Sequence, residues 1–421
     1  MSKILISALG AGRSKENRVY PKSKYRIENK VYDEESFIGI ALIKHFQIDK
    51  NIIIGTSKSI WEEYYKIVSL HKFNKYNEEI YWDLAFKIDE NNVNTEDLGI
   101  IHDDTKGFSK GILIDYGMNN DELINNFHLL MNITEELNDG DEIYIDITHS
   151  FRSLSLYMFI ILNYLQNVSN KNIKISYISY GMFEEKKDDI TPVINLNILY
   201  EAIEWIKGAS EFAKYGNAYN LTKLMDNQDI GKKINNFTDA LNMTYVVELK
   251  KQLKQLSKIN FDELKGFEKF IVPKVVEDFL NRFNKYMKKE KEYLFQLEIS
   301  KFFYDKNMYS NAFLMLHESI LTYFIEGDED IKNMYSDEQT RQKIKNIVKN
   351  PYKAKDYKND NDFNELCKIY QTITPIRNTI AHAIEAGRVS STDISNFENL
   401  YYKKVAQIYS KNKSYYLGDY I

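Results

Sequence analysis

The chain has 421 residues, 43% of them hydrophobic and 28% charged, which is too long for one ordinary core and calls for two or three domains. A net charge of −5 (56 Lys and Arg against 61 Asp and Glu) excludes a protein that coats nucleic acid, so any such contact must be local. One cysteine, Cys367, excludes a disulfide framework and a cysteine-based zinc site.

The first 200 or so residues alternate strand and helix patterns. KILISAL (3–9) is a buried-strand run closed by Gly10, EESFIGIALIKHF (34–46) has helical spacing, and NIIIG (51–55) is a second strand. IWEEYYKIVSLH (60–71) predicts a helix, 80–116 predicts extra strands or a hairpin, and DELINNFHLLMNITEEL (121–137) is helical again. EIYIDIT (142–148) reads as a strand, FRSLSLYMFIILNYLQNV (151–168) as a helix and IKISYISYG (173–181) as a strand. Such alternation predicts an α/β domain, with a parallel-sheet core covered by helices.

From about Leu196 the strand signal ends. Amphipathic helices are expected over 197–216, 237–256, 262–287, 291–307, 311–327 and, after a polar stretch, 363–374. The second part is therefore all-α. Two basic stretches, 284–293 and 341–358, are the local candidates for nucleic-acid contact, set against solvated lysines as the plainer account. The longest apolar run, 157–165, is far short of the roughly 20 residues that span a bilayer. Without a basic and apolar leader, the chain is expected to stay in the cytoplasm, off the membrane.

Ligands of doubly wound sheets sit beyond the carboxyl ends of the strands. Three such loops are GAGRS (10–14), GTSKS (55–59) and DITHSFRS (146–153), with Arg13, Lys58 and Arg152 available to neutralise a phosphate. The first would need glycine at Lys15 to be a dinucleotide fingerprint, and the second lacks P-loop spacing, so an ordinary NAD or ATP enzyme is disfavoured. In the helical part, PIRNTIAHAIEAG (375–387) reads as a helix opening at Pro375 with Thr374 as its N-cap. Arg377 then falls in a first turn that disfavours cations. Arg377 and His382, five apart, diverge by about 140° on a helix, whereas Asn378 and His382 share a face. Two such helices related by a two-fold axis would bring both pairs into one cleft.

The run from Asp146 to Arg152 resembles the D-x-T-H-G motif of the CARF domains of CRISPR-associated Csx1/Csm6 proteins, with Ser150 in place of the usual glycine. GTSKSIW (55–61) is similar to a second signature of that group, and RNTIAH (377–382) resembles the R-N-x-x-x-H form of HEPN ribonucleases. The resemblance implies a Rossmann-like CARF domain over 1–198, a helical connecting region over 199–290 and a HEPN domain over 291–421. It implies a homodimer or higher even oligomer that binds cyclic oligoadenylate, with four or six adenylates, through Gly10, Arg13, Gly55, Thr56, Ser57, Thr148, His149, Ser150, Arg152, Tyr180 and Gly181. It implies metal-independent cleavage of single-stranded RNA through the 2′-hydroxyl by Arg377, Asn378 and His382, with no cofactor and no stable DNA complex. Some CARF domains cut their own activator, and Thr148, His149 and Ser150 suit that side activity.

Two other readings remain open on the sequence. A metal-dependent phosphodiesterase would use His102, Asp103 and Asp104, for which further ligand sets are missing. A non-catalytic sensor would instead dock its helical half onto a partner or nucleic acid.

Overall fold

The computed structural model describes residues 1–11, 20–149, 152–287, 291–334, 336–382 and 390–420. The chain divides into two compact units, Met1–Glu201 and Ala202–Ile421.

The first unit is one eight-stranded sheet. Its strands are β1 (Lys3–Leu9), β2 (Ser23–Ile27), β3 (Lys30–Glu35), β4 (Lys50–Gly55), β5 (Ser109–Leu113), β6 (Glu142–Asp146), β7 (Lys174–Gly181) and β8 (Ile190–Asn195). Their order is β3-β2-β8-β7-β6-β1-β4-β5. The helices are α1 (Ile38–Phe46), α2 (Trp61–Phe73), α3 (Glu78–Asp89), α4 (Thr95–Asp104), α5 (Asn120–Met131) and α6 (Arg152–Asn167). From β5 to β7 all pairings are parallel, whereas β7 with β8 and β2 with β3 run antiparallel, so the sheet is mixed at one side.

The central strands are apolar on both faces because both are covered. Leu5 and Leu9 pack into a core with Ile38, Trp61 and Tyr64, while Ile4, Ile6 and Ala8 join Ile145, Leu154 and Met158 on the other side. After β1 the chain first forms the β2–β3 hairpin at the far edge, returns to β4 and β5 on one side of β1, then crosses to β6 on the other side. That reversal makes the carboxyl ends of β1 and β6 the topological switch point of the sheet.

Two expectations for this unit are corrected, and the sheet gains edge strands. The segment 34–46 begins as the end of β3, where Tyr32 is buried between exposed Val31 and Asp33 in a two-residue period, and helix starts only at Ile38. The 80–116 stretch, expected as extra strands or a hairpin, is mostly two helices and supplies one extra strand, β5. Asn77 caps α3, and Asn94 with Asp97 forms a capping box on α4. The hairpin β2–β3 and the strand β8 add to the expected sheet at its edge.

The helix α7 (Asn197–Tyr215) leads into the second unit, which contains α8 (Tyr219–Lys223), α9 (Gln228–Asn242), α10 (Val246–Leu256), α11 (Gly266–Met287), α12 (Glu292–Asp305), α13 (Tyr309–Glu326), α14 (Glu338–Lys349) and α15 (Asn361–His382). Shorter helical pieces follow over 391–410. One apolar core holds it, with Phe279 against Phe212, Phe237 and Phe302. The single helix expected over 237–256 is split between α9 and α10, because Thr244 takes a left-handed conformation (φ 53°). The polar stretch before 363 contains α14, capped by Asp337. No new helix opens at Thr374: α15 runs through it, and Pro375 lies in the interior. No helix among the described residues is long and apolar enough to cross a membrane.

Gly216 closes α7 in the left-handed region (φ 72°), and a Cβ there would lie 2.1 Å from Leu241 Cδ2, in a fully buried side chain. Gly216→Ala is therefore expected to destabilise the second unit by about 1–3 kcal/mol, read as a lowered melting temperature.

Candidate functional site

In the first unit the strand ends are tied to one another by their own loops. The Thr56 N–H donates to Ser59 Oγ at 2.9 Å, Ser59 Oγ donates to the Leu9 carbonyl at 2.6 Å, and the Ile60 N–H reaches the Gly10 carbonyl at 3.1 Å. Trp61 Nε1 closes the turn onto the Thr56 carbonyl at 2.8 Å. Gly55 is needed beneath it, since a Cβ would stand 2.7 Å from the Trp61 ring and 2.8 Å from Ser59 Oγ. The outcome separates the expected site residues. Thr56 is fully buried inside this turn, and Ser57 points its hydroxyl to Asn91 Oδ1 at 2.6 Å.

The DITH segment is built around a buried acid. Asp146 Oδ1 accepts the backbone N–H of Thr148 at 3.0 Å and its hydroxyl at 2.6 Å. Thr148 Oγ1 in turn accepts the Gly181 N–H at 2.8 Å, bridging the ends of β6 and β7. Asp146 Oδ2 is buried without a hydrogen-bond partner, and burial pushes the carboxyl up to about 6.

His149 follows. Its ring lies 5.7 Å from that of Phe183 and, with Gly10, Tyr20, Tyr25 and Phe37, lines a cavity of about 230 Å³. Its Nε2 is buried without a partner, and burial lowers its pKa to about 4, so the ring is neutral at pH 7. Gly10 and His149 thus meet at the cavity, whereas Thr148 and Gly181 bond to each other outside its lining. Tyr180 is half-buried beside them in sequence. Arg13 and Ser150 lie outside the described residues, as does the side chain of Arg152, whose backbone opens α6.

Sequence reasoning missed the aromatic wall of Tyr20, Tyr25, Phe37 and Phe183. The alternation of SKYRI (23–27) was the available signal, since it turns Tyr25 and Ile27 inward.

In the second unit, the expected first-turn placement of Arg377 is overturned. Pro375 removes the N–H that would bond the Gln371 carbonyl, and Thr374 donates its hydroxyl back to the Tyr370 carbonyl at 2.7 Å, so neither begins a helix. Arg377 stands seven residues after Tyr370, on the same face, beside buried Ile373. It is half-buried; its Nε has no hydrogen-bond partner, and Nη1 donates to Asn378 Oδ1 at 3.2 Å. No carboxylate pairs with it among the described residues. His382 ends α15 as described, and its side chain lies outside the described residues.

The His102 cluster does not converge. His102 Nδ1 is engaged with the Ser109 carbonyl at 2.7 Å, and Asp104 accepts from the Tyr65 hydroxyl at 2.6 Å. Among the described residues no group of three His, Cys, Asp or Glu could hold a metal ion.

Comparison with known proteins places these features. Residues 4–184 match the family model of the CARF domain of the CRISPR system endoribonuclease Csx1. Residues 201–292 match that of the second domain of the CRISPR-associated protein MJ1674. Over 410 residues the chain is 33% identical to CRISPR-associated protein MJ1674 of Methanocaldococcus jannaschii, covering 91% of this chain and 62% of that protein. The chain thus spans about three fifths of that relative's length. A solved structure of Enterococcus italicus Csm6 bound to cyclic hexa-2′-fluoro-hexa-dAMP aligns with 98% of this chain and 94% of that one, at 14% identity and a TM-score of 0.41.

The buried Asp146 and His149 give the first unit a readable pH signature. Asp146 has a raised folded pKa, so its contribution to stability is complete below the ordinary value near 3.8 and is lost as pH rises through about 6. Left ionised at neutral pH, it costs about 3 kcal/mol. Asp146→Asn keeps the oxygen that accepts from Thr148 and is expected to raise the melting temperature at pH 7.5, with the gain shrinking as pH falls from 6 towards 4. His149, depressed to about 4, works in the opposite sense: its contribution is complete above 6.5 and is lost as pH falls towards 4. Thermal melts of both proteins across pH 4–8 check the pattern.

Proposed function

We propose that the chain, which carries a CARF domain in its first half and is 33% identical to CRISPR-associated protein MJ1674, is a Csx1/Csm6-like protein that acts as a cyclic-oligoadenylate-activated, metal-independent endoribonuclease. Its proposed parts are a sensing domain over 1–198, a connecting region over 199–290 and a HEPN-type nuclease domain over 291–421. The substrate is single-stranded RNA, which carries its own nucleophile.

The observation that carries this reading is Arg377, a half-buried guanidinium with an unpartnered Nε and no carboxylate to neutralise it. A buried cation without a counter-charge is costly unless a ligand supplies one. A phosphate is the anion that matches its fork. In the proposed reaction the RNA 2′-oxygen attacks the adjacent phosphorus, the bond to the 5′-oxygen breaks, and a 2′,3′-cyclic phosphate remains. The proton leaves the 2′-hydroxyl and one is delivered to the 5′-oxygen. His382 suits this transfer at neutral pH, Arg377 offsets charge on the phosphate, and Asn378 orients either group.

The activator site proposed for the first unit is the strand-end crevice around Gly10, Thr148 and His149, with Arg13, Gly55, Thr56, Ser57, Ser150, Arg152, Tyr180 and Gly181 as further candidates. His149 and Gly10 are supported by their place on the cavity wall. Thr56, enclosed in its turn, would act through the loop rather than by touching the ring.

A composite nuclease site needs a dimer. Leu156 (69% exposed) and Ile160 (47%) sit one turn apart on α6, and Ile124 of neighbouring α5 is 55% exposed. Such a run of apolar side chains suits a face shared by two copies.

With fluorogenic single-stranded RNA, EDTA and cyclic tetra- or hexaadenylate, Arg377→Ala and His382→Ala are each expected to lower cleavage at least about 100-fold while ring binding by calorimetry persists. Turnover at the wild-type rate in either variant overturns the nuclease assignment. Leu156→Asp is expected to shift the molar mass measured by light scattering from dimer towards monomer. An unchanged mass means that this face is not the interface.

A further inference from the structure

The seam between α13, α14 and α15 carries charge that the proposed reaction leaves unused. Glu318 of α13 accepts from Arg341 of α14 through Oε2, and its Oε1 lies 3.3 Å from His317 Nδ1. The buried His317 ring stacks on Tyr370 of α15 with centroids 4.2 Å apart. One carboxylate therefore joins three helices.

Two cations stand around that junction without a carboxylate of their own. Arg341 and Lys345 are four apart on α14 and share a face, flanking buried Ile344. Lys345 is half-buried and, among the described residues, makes no hydrogen bond or ion pair. Its charge nevertheless reaches both His317 and Glu318. Arg377, on the Tyr370 face of α15, adds its charge at His317 and Tyr370. Burial, reinforced by those cations, holds the His317 pKa below its ordinary value, so His317 supplies no third charge at neutral pH. Of the charges that act on His317, Glu318 and Tyr370 here, three are cations, Arg341, Lys345 and Arg377, and one is the anion Glu318.

We propose that Lys345 is a substrate contact of this domain, seating the RNA phosphate next to the one that meets Arg377. The Glu318–Arg341 pair, braced by His317 on Tyr370, fixes α14 so that Lys345 stands there. An excess of two positive charges between packed helices fits two successive phosphates of a strand. The inference rests on the nuclease reading and adds to it a residue that RNTIAH does not contain.

The test uses the full chain, cyclic oligoadenylate and two probes: a fluorogenic RNA, and a 2′-O-methylated RNA oligonucleotide that cannot be cut. For Lys345→Ala the KM for RNA is expected to rise about ten-fold, more than any fall in kcat. The slope of log binding constant against log salt for the uncut oligonucleotide is expected to drop by about 0.7, one phosphate contact on a single strand. Lys345→Arg should keep the wild-type slope. Because Lys345 is half-exposed and unpaired, its variants should melt like the parent. An unchanged KM and salt slope in Lys345→Ala overturns the inference. If Arg377→Ala has meanwhile lost cleavage, the nuclease reading still stands, whereas wild-type cleavage by Arg377→Ala removes the reading itself.

Discussion

The first unit depends on a carboxylate placed where water does not reach. Asp146 is the last residue of β6 and lies in register with Ser7 of β1 on one side and Ser179 of β7 on the other. All three are buried, so the sheet carries a polar row across its centre just below the crevice. Oδ1 fixes Thr148 by two bonds, and Thr148 fixes Gly181. A neutral side chain could not hold the turn so firmly, because hydrogen bonds to a charged acceptor are roughly twice as strong as neutral ones. The same charge is expensive where it sits, and Oδ2 receives nothing. The turn that presents His149 is therefore strongly defined and energetically taxed at once, which is how functional sites differ from ordinary core.

Much of this architecture is legible in the sequence, for a physical reason. Strands buried on both faces must be apolar throughout, so β1, β4, β6 and β7 stand out as continuous runs. Edge strands face water on one side and may be short, and β2 and β3 therefore carry Lys, Arg, Asp and Glu that dilute the signal. The helices α3 and α4 are weakly amphipathic and were missed; the signal available was Asn77 and Asn94, whose caps are local. Thr148 and His149 could be found because a strand-to-helix turn is also local. The cavity wall could not, because Tyr20, Phe37 and Phe183 come from separate segments that only the folded sheet assembles.

Pro375 is the instructive failure. Proline is far commoner at the first helical position than inside a helix, where it costs about 3 kcal/mol. Here tertiary packing outweighs that cost: Phe363, Leu366, Tyr370 and Ile373 before the proline and Ile376 after it all lie in one apolar core. The consequence reverses the electrostatic argument for Arg377. It sits not in a first turn, against the positive end of the dipole, but some four turns further along α15, where that end no longer acts on it. Its need for an anion comes instead from half-burial without a counter-charge.

The two units then present opposite electrostatic characters, and the difference constrains how each meets a phosphodiester. At neutral pH the strand-end cavity holds a neutral imidazole and aromatic rings, and the charges behind its described wall are acidic: Asp146 under the DITH turn, Glu62, which accepts from Tyr20, and Glu63, which accepts from Ser36. Such a lining favours the flat apolar faces of bases and leaves phosphates to backbone N–H groups and to whatever cations the loops supply. The helical seam holds cations and almost no stacking surface beyond Tyr370, which His317 already covers. Such a lining favours the backbone of a strand and is indifferent to its bases. On the proposed function, one chain would meet a nucleotide ligand in two different ways, with neither surface suited to the other's task. If a ring bound in the first unit is to raise cleavage in the second, the coupling must come from its differential affinity for two arrangements of the chain. By linkage, an uncut strand held in the cationic seam must then tighten the ring by the same factor.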